Sequence, residues 1–154
     1  MAFETIANDY GLSGKVAIVS GAGGPIGQGF EEGVTNGRAA AILLARAGAK
    51  VCVVGRTLEL AQHTVDIIKK EGGDAFAHVA DVTQEADCRV VVDATMQRYG
   101  RLDCLDNNVG RSAPGDVTEM GIEKWRSMFA LNVDSMMLMC KYAIPAMVAG
   151  GEGG

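Results

Sequence analysis

The sequence predicts an α/β protein built on a doubly wound parallel sheet. Three observations predict it: short apolar runs rich in β-branched residues, helical segments of about ten residues or more between them, and a regular alternation of the two along the chain. Runs that are apolar on both faces are typical of buried parallel strands. Since parallel neighbours need a crossover connection, we expect helices on both faces of the sheet.

The first unit runs from an apolar strand through a glycine-rich segment into an alanine-rich helix. The strand is KVAIVS at 15–20, and the helix is GRAAAILLARAGA at 37–49, which is dense in strong helix formers and ends near Gly48. We expect Asn36 to cap this helix, because its side-chain oxygen can accept from a free N–H of the first turn.

The second unit repeats the pattern. KVCVVG at 50–55 predicts a buried strand, and TLELAQHTVDIIKKEGG at 57–73 predicts an amphipathic helix. Thr57 is the predicted N-cap, and the lysines of the last turn and Gly72 end the helix.

Two further strands and two helical segments complete the chain. AFAHVA at 75–80 predicts a third strand, and a helix capped by Thr83 follows it. LDCLDNNVG at 102–110 predicts a fourth strand, in which Asp106 places a charge that is costly unless it is paired. The rest, 118–151, is mostly helical, with Asn132 in its middle.

Composition and charge exclude several functions. The net charge is −5 and no Lys/Arg cluster occurs, so we expect no nucleic-acid partner. No apolar stretch approaches the roughly 20 residues that span a bilayer, and the N-terminus lacks a secretory signal, so we expect a cytoplasmic protein without a membrane partner. The scattered cysteines and isolated histidines predict no metal site.

The glycine-rich segment SGAGGPIGQGFEEGVTNG at 20–37 lies between a strand and a helix. Glycine lets the backbone approach a phosphate closely, and a helix N-terminus offers free N–H groups and a positive dipole. This context therefore predicts that the segment binds the diphosphate of a dinucleotide, whereas the alternative is a plain flexible turn.

Two registers of the glycine motif fit. In one, Gly21 and Gly27 are the motif glycines and extra residues precede the helix. In the other, Gly37 is the last motif glycine and the loop before it is enlarged; we favour this register for the helix start. We expect Glu31 and Glu32 to point into solvent, since carboxylates would repel phosphates.

Four stretches together resemble the short-chain dehydrogenase/reductase family: SGAGGPIG at 20–27, ADVT at 80–83, LDCLDNNVG at 102–110 and the segment 125–147 around ALNVDSMM. They occur in the family's order. The resemblance implies a Rossmann-like domain that binds a nicotinamide dinucleotide and serves hydride transfer with a small carbonyl or alcohol substrate.

The same resemblance implies roles for single residues. Asp81 would bond the adenine amino group, although it could also only shape a turn. Asn107 and Gly110 would line the cofactor beyond the fourth strand, or could simply end that strand. Asn132 matches the family's catalytic asparagine, and the alternative is a polar residue that bonds its own helix backbone.

The residue after the second strand indicates which cofactor is used. An acidic residue there accepts the ribose 2′-OH of NAD, whereas an arginine favours the 2′-phosphate of NADP. No Asp or Glu follows VCVVG, and Arg56 stands at that position. We therefore expect NADP, with NAD as the alternative.

The resemblance also implies that proton transfer needs a tyrosine followed four residues later by a lysine. This pattern does not occur in these 154 residues. None of the three tyrosines, Tyr10, Tyr99 and Tyr142, is followed four residues later by lysine. We therefore expect one Rossmann-like domain over 1–154 that is truncated after about four strands, belongs to an NADP-preferring reductase and forms a homo-oligomer. The alternative is a catalytically inactive dinucleotide-binding module, or a remnant, that associates with a partner.

Overall fold

The computed structural model describes residues 10–24 and 34–150. In these residues, four parallel strands form one sheet in the order β3-β2-β1-β4, and helices cover it on both sides, as the sequence predicts. The elements are β1 (Val16–Ser20), α1 (Asn36–Arg46), β2 (Lys50–Gly55), α2 (Leu58–Lys70), β3 (Ala75–Val79), α3 (Glu85–Tyr99), β4 (Cys104–Asn107), α4 (Ile122–Phe129), a π-helical turn (Ala130–Asp134) and α5 (Ser135–Ala149).

The two faces of the sheet carry separate cores. Val16 and Ile18 of β1 belong to the core that packs against α3 and α5. Val19 of β1 belongs to the core that packs against α1 and α2. Every residue of β1 is buried, which explains why this strand reads as a continuous apolar run.

The strand register brings four strand ends to one edge. Ser20, the last residue of β1, lies beside Val54 of β2 and Asn107 of β4. Gly55 of β2 lies beside Val79 of β3. Because all four strands are parallel, the segments that follow them meet at this carboxyl edge, where ligands bind in open α/β sheets.

The caps differ from the predicted ones at two helices. The N-cap of α1 is Thr35, whose hydroxyl accepts from the N–H of Arg38 at 3.4 Å, so Asn36 is the first helical residue and the predicted Asn36 cap is wrong. The N-cap of α3 is Gln84, whereas the Thr83 hydroxyl donates to Asp81. Either neighbouring polar residue could cap, and the path of the preceding turn decides which one does.

Strand β4 is an edge strand of the described sheet, and its residues are half-buried. Asp106 lies in this strand, and burial raises the pKa of its carboxyl group. No hydrogen bond to its side chain occurs within the described residues, although its backbone oxygen accepts from Ser20 at 3.1 Å. The half-exposed position at the edge allows water to solvate this carboxyl group.

Asp103 ties the beginning of β4 to the beginning of β1. Its carboxylate accepts from the N–H of Val16 at 2.8 Å and from Arg101 at 2.6 and 2.9 Å, and Lys15 lies 3.5 Å away. In return, the N–H of Asp103 donates to the carbonyl of Val16 at 2.9 Å. Only 9% of the Asp103 side chain is exposed, so these contacts are poorly screened by water.

The helices of the described ranges include none that is both long and apolar enough to cross a bilayer.

Candidate functional site

The site begins where β1 ends. The hydroxyl of Ser20 donates to the carbonyl of Asp106 and accepts from the N–H of Asn108 at 3.2 Å, which ties the turn after β1 to the segment after β4. Gly21 follows with φ 75°, a conformation that favours glycine. A β-carbon there would lie 3.1 Å from the carbonyl oxygen of Asn108, so the two segments pack backbone to backbone.

Helix α1 starts directly against this turn. A β-carbon on Gly37 would lie 2.8 Å from the carbonyl oxygen of Gly21 and closer still to the amide nitrogen of Asn108. A β-carbon on Gly24 would lie 2.9 Å from the methyl group of Thr35. The absent side chains therefore let the helix N-terminus and the strand end approach each other.

Helix α1 begins at Asn36, a start that both registers of the glycine motif allow, so the choice of Gly37 as the last motif glycine stays a prediction. Gly27, Glu31 and Glu32 lie outside the described residues. Asn36 is exposed at the first position of α1, where its backbone belongs to the free N–H groups of the helix N-terminus.

Two charged groups flank the turn on the side of β2 and β3. Arg56 is exposed and immediately follows β2. Asp81 is half-buried, and one of its oxygens, Oδ1, accepts from the hydroxyl of Thr83 at 2.7 Å and from the Thr83 N–H at 3.0 Å. These bonds, and more weakly the charge of Arg56, lower the pKa of Asp81. Asp81 is therefore anionic at neutral pH and lies within electrostatic reach of Arg56.

The two asparagines after β4 have different surroundings. The side chain of Asn107 donates to the sulfur of Cys140 on α5 at 3.5 Å, so it is engaged on the helix α5 side of the sheet. Asn108, which the sequence did not single out, contacts Ser20 through its backbone and packs close to Gly37. In the sequence, only its position beside Asn107 in NNVG could have pointed to Asn108. Gly110 is exposed and lies near Asn132.

Asn132 joins the helical segment to the loop after β4. Its side-chain oxygen accepts from the N–H of Arg111, and its amide group donates to the carbonyl oxygens of Arg111 and Met128, each at 2.9 Å. It lies in the π-helical turn, a distortion that often occurs at functional sites. The bond to the helix backbone that the sequence raised as the alternative for this residue is therefore present.

An open apolar cavity of about 190 Å³ lies beside Asn132, between the loop after β4 and helix α4. Its lining includes Arg111, Trp125 and Phe129. The loop that Asn132 holds forms one wall of this cavity, so the position of the wall depends on the Asn132 side chain.

Two of the tyrosines are engaged away from the glycine turn. Tyr99 donates to Asp74 at 3.0 Å, next to the beginning of β3 and thus at the opposite edge of the sheet. Tyr142 and Lys141 both donate to the same oxygen of Glu85, at 2.8 and 2.5 Å. These two adjacent residues of α5 therefore link α5 to α3 through one carboxylate.

Replacing Asn132 with alanine is expected to loosen the loop after β4. Loss of the acceptor for the Arg111 N–H lowers the local stability of the loop by about 1 kcal/mol. This corresponds to about fivefold faster amide hydrogen exchange at Arg111. The control is Ser135→Ala, which removes a bond from Ser135 to the carbonyl of Leu131 in the same helical segment but no contact with the loop. Equal exchange rates in the two variants would contradict a loop-holding role.

The arrangement suits an elongated ligand with anionic and polar ends. Glycine backbone and the N-terminus of α1 offer N–H groups to phosphates, Arg56 offers a cation, and Asp81 offers its second carboxylate oxygen to an amino group. In contrast, the described ranges hold no group of three or more His, Cys, Asp or Glu side chains placed to bind a metal ion.

A family model and individual relatives both match most of this chain. A family model described as short chain dehydrogenase matches residues 15–154. The 7alpha-hydroxysteroid dehydrogenase of Escherichia coli strain K12 is 34% identical over 142 residues, which cover 92% of this chain and 51% of that protein. The cyclohexanol dehydrogenase of Acinetobacter sp. strain SE19 is 33% identical over 143 residues, which cover 92% of this chain and 53% of that protein.

The fold has close counterparts among solved structures. A 7 alpha-hydroxysteroid dehydrogenase complexed with NADH and 7-oxo glycochenodeoxycholic acid superposes with a TM-score of 0.80 at 34% identity, covering 92% of this chain and 51% of that one. The chain spans about half the length of the curated relatives it matches.

Proposed function

Because the chain belongs to the short-chain dehydrogenase family, we propose that it binds a nicotinamide dinucleotide and serves hydride transfer between the nicotinamide and a small carbonyl or alcohol substrate. The observation that carries this proposal is the close approach of Gly37 to the carbonyl of Gly21, which brings the N-terminus of α1 to the glycine turn at the carboxyl edge of the sheet. Glycine at these two positions would let a diphosphate approach the backbone N–H groups closely.

The residues around the turn would hold the parts of this cofactor. The diphosphate would lie against Gly21 and against Asn36 and Gly37 in the first turn of α1. Gly27, which lies outside the described residues, would contribute as well. Asp81 would accept a hydrogen bond from the adenine amino group through its oxygen Oδ2, since Thr83 donates only to Oδ1. Asn107 and Gly110 would line the nicotinamide side. When the cofactor is bound, its nicotinamide ring would donate or accept the hydride.

The proposal assigns no proton donor among these 154 residues. No tyrosine in residues 1–154 is followed four residues later by lysine, and Tyr99 and Tyr142 are bonded to carboxylates away from the turn. The proposal therefore assigns these residues to cofactor binding, and Asn132 to support of the catalytic centre. In a catalytically active protein, Asn132→Ala should lower kcat and leave cofactor affinity unchanged, whereas loss of affinity alone would contradict this role.

We also propose a preference for NADP over NAD. Arg56 is exposed at the end of β2, beside the turn, and neither Asp nor Glu occupies the position that would accept the ribose 2′-OH. The charge of Arg56 also lowers the pKa of Asp81, which supports a position of Arg56 near the proposed adenine contact. An arginine there can donate to a 2′-phosphate.

Titration with NADPH and NADH tests both proposals. The protein is expected to bind both, with NADPH bound more tightly, and Arg56→Ala is expected to weaken NADPH by about tenfold and NADH by less than about threefold. The control is Lys70→Ala, because Lys70 is exposed at the far end of α2. Binding of neither cofactor would overturn the proposed function; tighter binding of NADH would overturn only the NADP preference.

A homo-oligomer is proposed as well. Large apolar side chains remain exposed along one helical segment of the described structure: Trp125, Phe129, Val133, Ile144 and Val148. Exposed apolar side chains grouped on one helical segment are typical of interfaces. Light scattering that gives a monomer would contradict the oligomer.

The alternative function, an inactive dinucleotide-binding module, would show cofactor binding without turnover on any alcohol or ketone.

A further inference from the structure

Arg38 is a buried cation beneath the glycine turn. It lies in the first turn of α1, and only 3% of its surface is exposed. Its Nε donates to the hydroxyl of Thr64 at 2.9 Å, and its Nη2 donates to the carbonyl of Gly24 at 3.0 Å. Both acceptors are uncharged. No ion pair found in the described part of the chain includes Arg38.

Thr64 connects this cation to a second position of the turn. The Thr64 hydroxyl, which is fully buried, donates to the carbonyl of Ala22 at 2.8 Å. Arg38 and Thr64 therefore bind the carbonyls of Ala22 and Gly24. Because C=O and N–H point in opposite directions across a trans peptide, holding the Ala22 carbonyl toward Thr64 directs the N–H of Gly23 away from Thr64.

A buried charge with only neutral partners is energetically unfavourable for a folded protein. Burial correspondingly lowers the pKa of Arg38, although an arginine remains protonated at neutral pH. Stability alone would be served as well by an apolar side chain of similar length. The positive charge gains a counter-charge when an anion binds to the turn that Arg38 holds.

We propose that Arg38 is a positioning residue for phosphate binding: it orders the glycine turn through Gly24 and, with Thr64, through Ala22, and its buried charge attracts the anion that the turn holds. This inference rests on the proposed dinucleotide site. It differs from the role of Arg56, which is exposed and would touch the ligand directly. In contrast, a purely structural Arg38 would affect charged and uncharged ligands alike.

The test compares ADP with adenosine, which share the base and ribose but differ in the diphosphate. Arg38→Met and Arg38→Gln both remove the charge, and the glutamine retains hydrogen-bonding capacity if the methionine variant folds poorly. In the variant that folds, measured by circular dichroism, ADP affinity is expected to fall about tenfold and adenosine affinity by less than about threefold. The dependence of ADP affinity on salt should also become weaker.

Two further variants complete the design. Arg38→Lys retains the charge but cannot make both the Thr64 and the Gly24 hydrogen bonds, so it is expected to lose less ADP affinity than Arg38→Met and more than the control. Arg89→Met removes an exposed cation from α3, on the other face of the sheet, and controls for net charge. Equal losses for ADP and adenosine, or unchanged ADP affinity in Arg38→Met and Arg38→Gln, would overturn the inference. If the unmodified protein binds neither ligand, the proposed function itself fails, and this inference with it.

Discussion

Replacing Gly37 with alanine is expected to abolish most dinucleotide binding and to destabilise the protein. The added β-carbon would lie 2.8 Å from the carbonyl oxygen of Gly21, and that oxygen belongs to backbone that cannot rotate away. Helix α1 must then move from the turn, at a cost of about 1–3 kcal/mol in the free energy of unfolding. Because the same movement separates the helix N-terminus from the glycine turn, we expect NADPH affinity to fall by more than about tenfold.

Gly121→Ala is the matched control for this substitution. Gly121 precedes α4 with φ −66°, and a β-carbon there would have no atom within 4 Å. Because Gly121 is the N-cap of α4, where glycine is preferred to alanine, the substitution should lower the free energy of unfolding by no more than about 1 kcal/mol and leave NADPH affinity unchanged. Urea unfolding and cofactor titration of both variants measure these effects. An alanine at position 37 that is tolerated as well as one at 121 would contradict the close packing of α1 on the turn.

Replacing Asp103 with asparagine is expected to lower the free energy of unfolding at pH 7 by about 2 kcal/mol, because its charge-assisted hydrogen bonds are lost. The hydrogen bonds from Arg101, then the N–H of Val16 and the charge of Lys15, lower the pKa of Asp103. A carboxylate whose pKa is lower in the folded state stabilises the protein at pH values above its unfolded pKa of about 3.9. This stabilisation is lost as the pH falls through the lower, folded pKa.

The difference between the unmodified protein and Asp103→Asn should therefore be largest near neutral pH and should shrink in acid. Asp93→Asn is the control, since Asp93 is exposed on α3. Urea unfolding across this pH range measures both variants, and Asp93→Asn should shift stability by less than about 0.5 kcal/mol throughout. A pH-independent loss in Asp103→Asn would mean that shape, rather than charge, makes the contribution.

Both substitutions act where segments distant in sequence meet. Gly37 contacts the turn after β1, and Asp103 joins the beginning of β4 to the beginning of β1. The first contact lies at the carboxyl edge of the sheet and the second at the opposite edge. Asp103→Asn should therefore destabilise the protein without a direct effect on the proposed cofactor site, whereas Gly37→Ala should affect both.

The sequence alone determined the alternation of strands and helices, the parallel sheet and the position of the glycine turn. These features follow from local patterns, because apolar runs, helix formers and glycines act over a few neighbouring residues. The start of the first helix was also accessible to within one residue, since the alanine run after Gly37 marks it and α1 begins at Asn36. The family was evident from four such stretches taken together, and the match over residues 15–154 confirms it.

Only the tertiary structure decided how the site is assembled. Thr35 rather than Asn36 caps α1, Asn108 rather than Asn107 contacts the turn, and Arg38 is buried beneath it. The bond that joins Thr64 to Ala22 spans 42 positions, and no local pattern encodes such a pairing. The physical reason is that local propensity selects the elements, whereas the packing of distant elements selects which of two neighbouring polar side chains makes the contact.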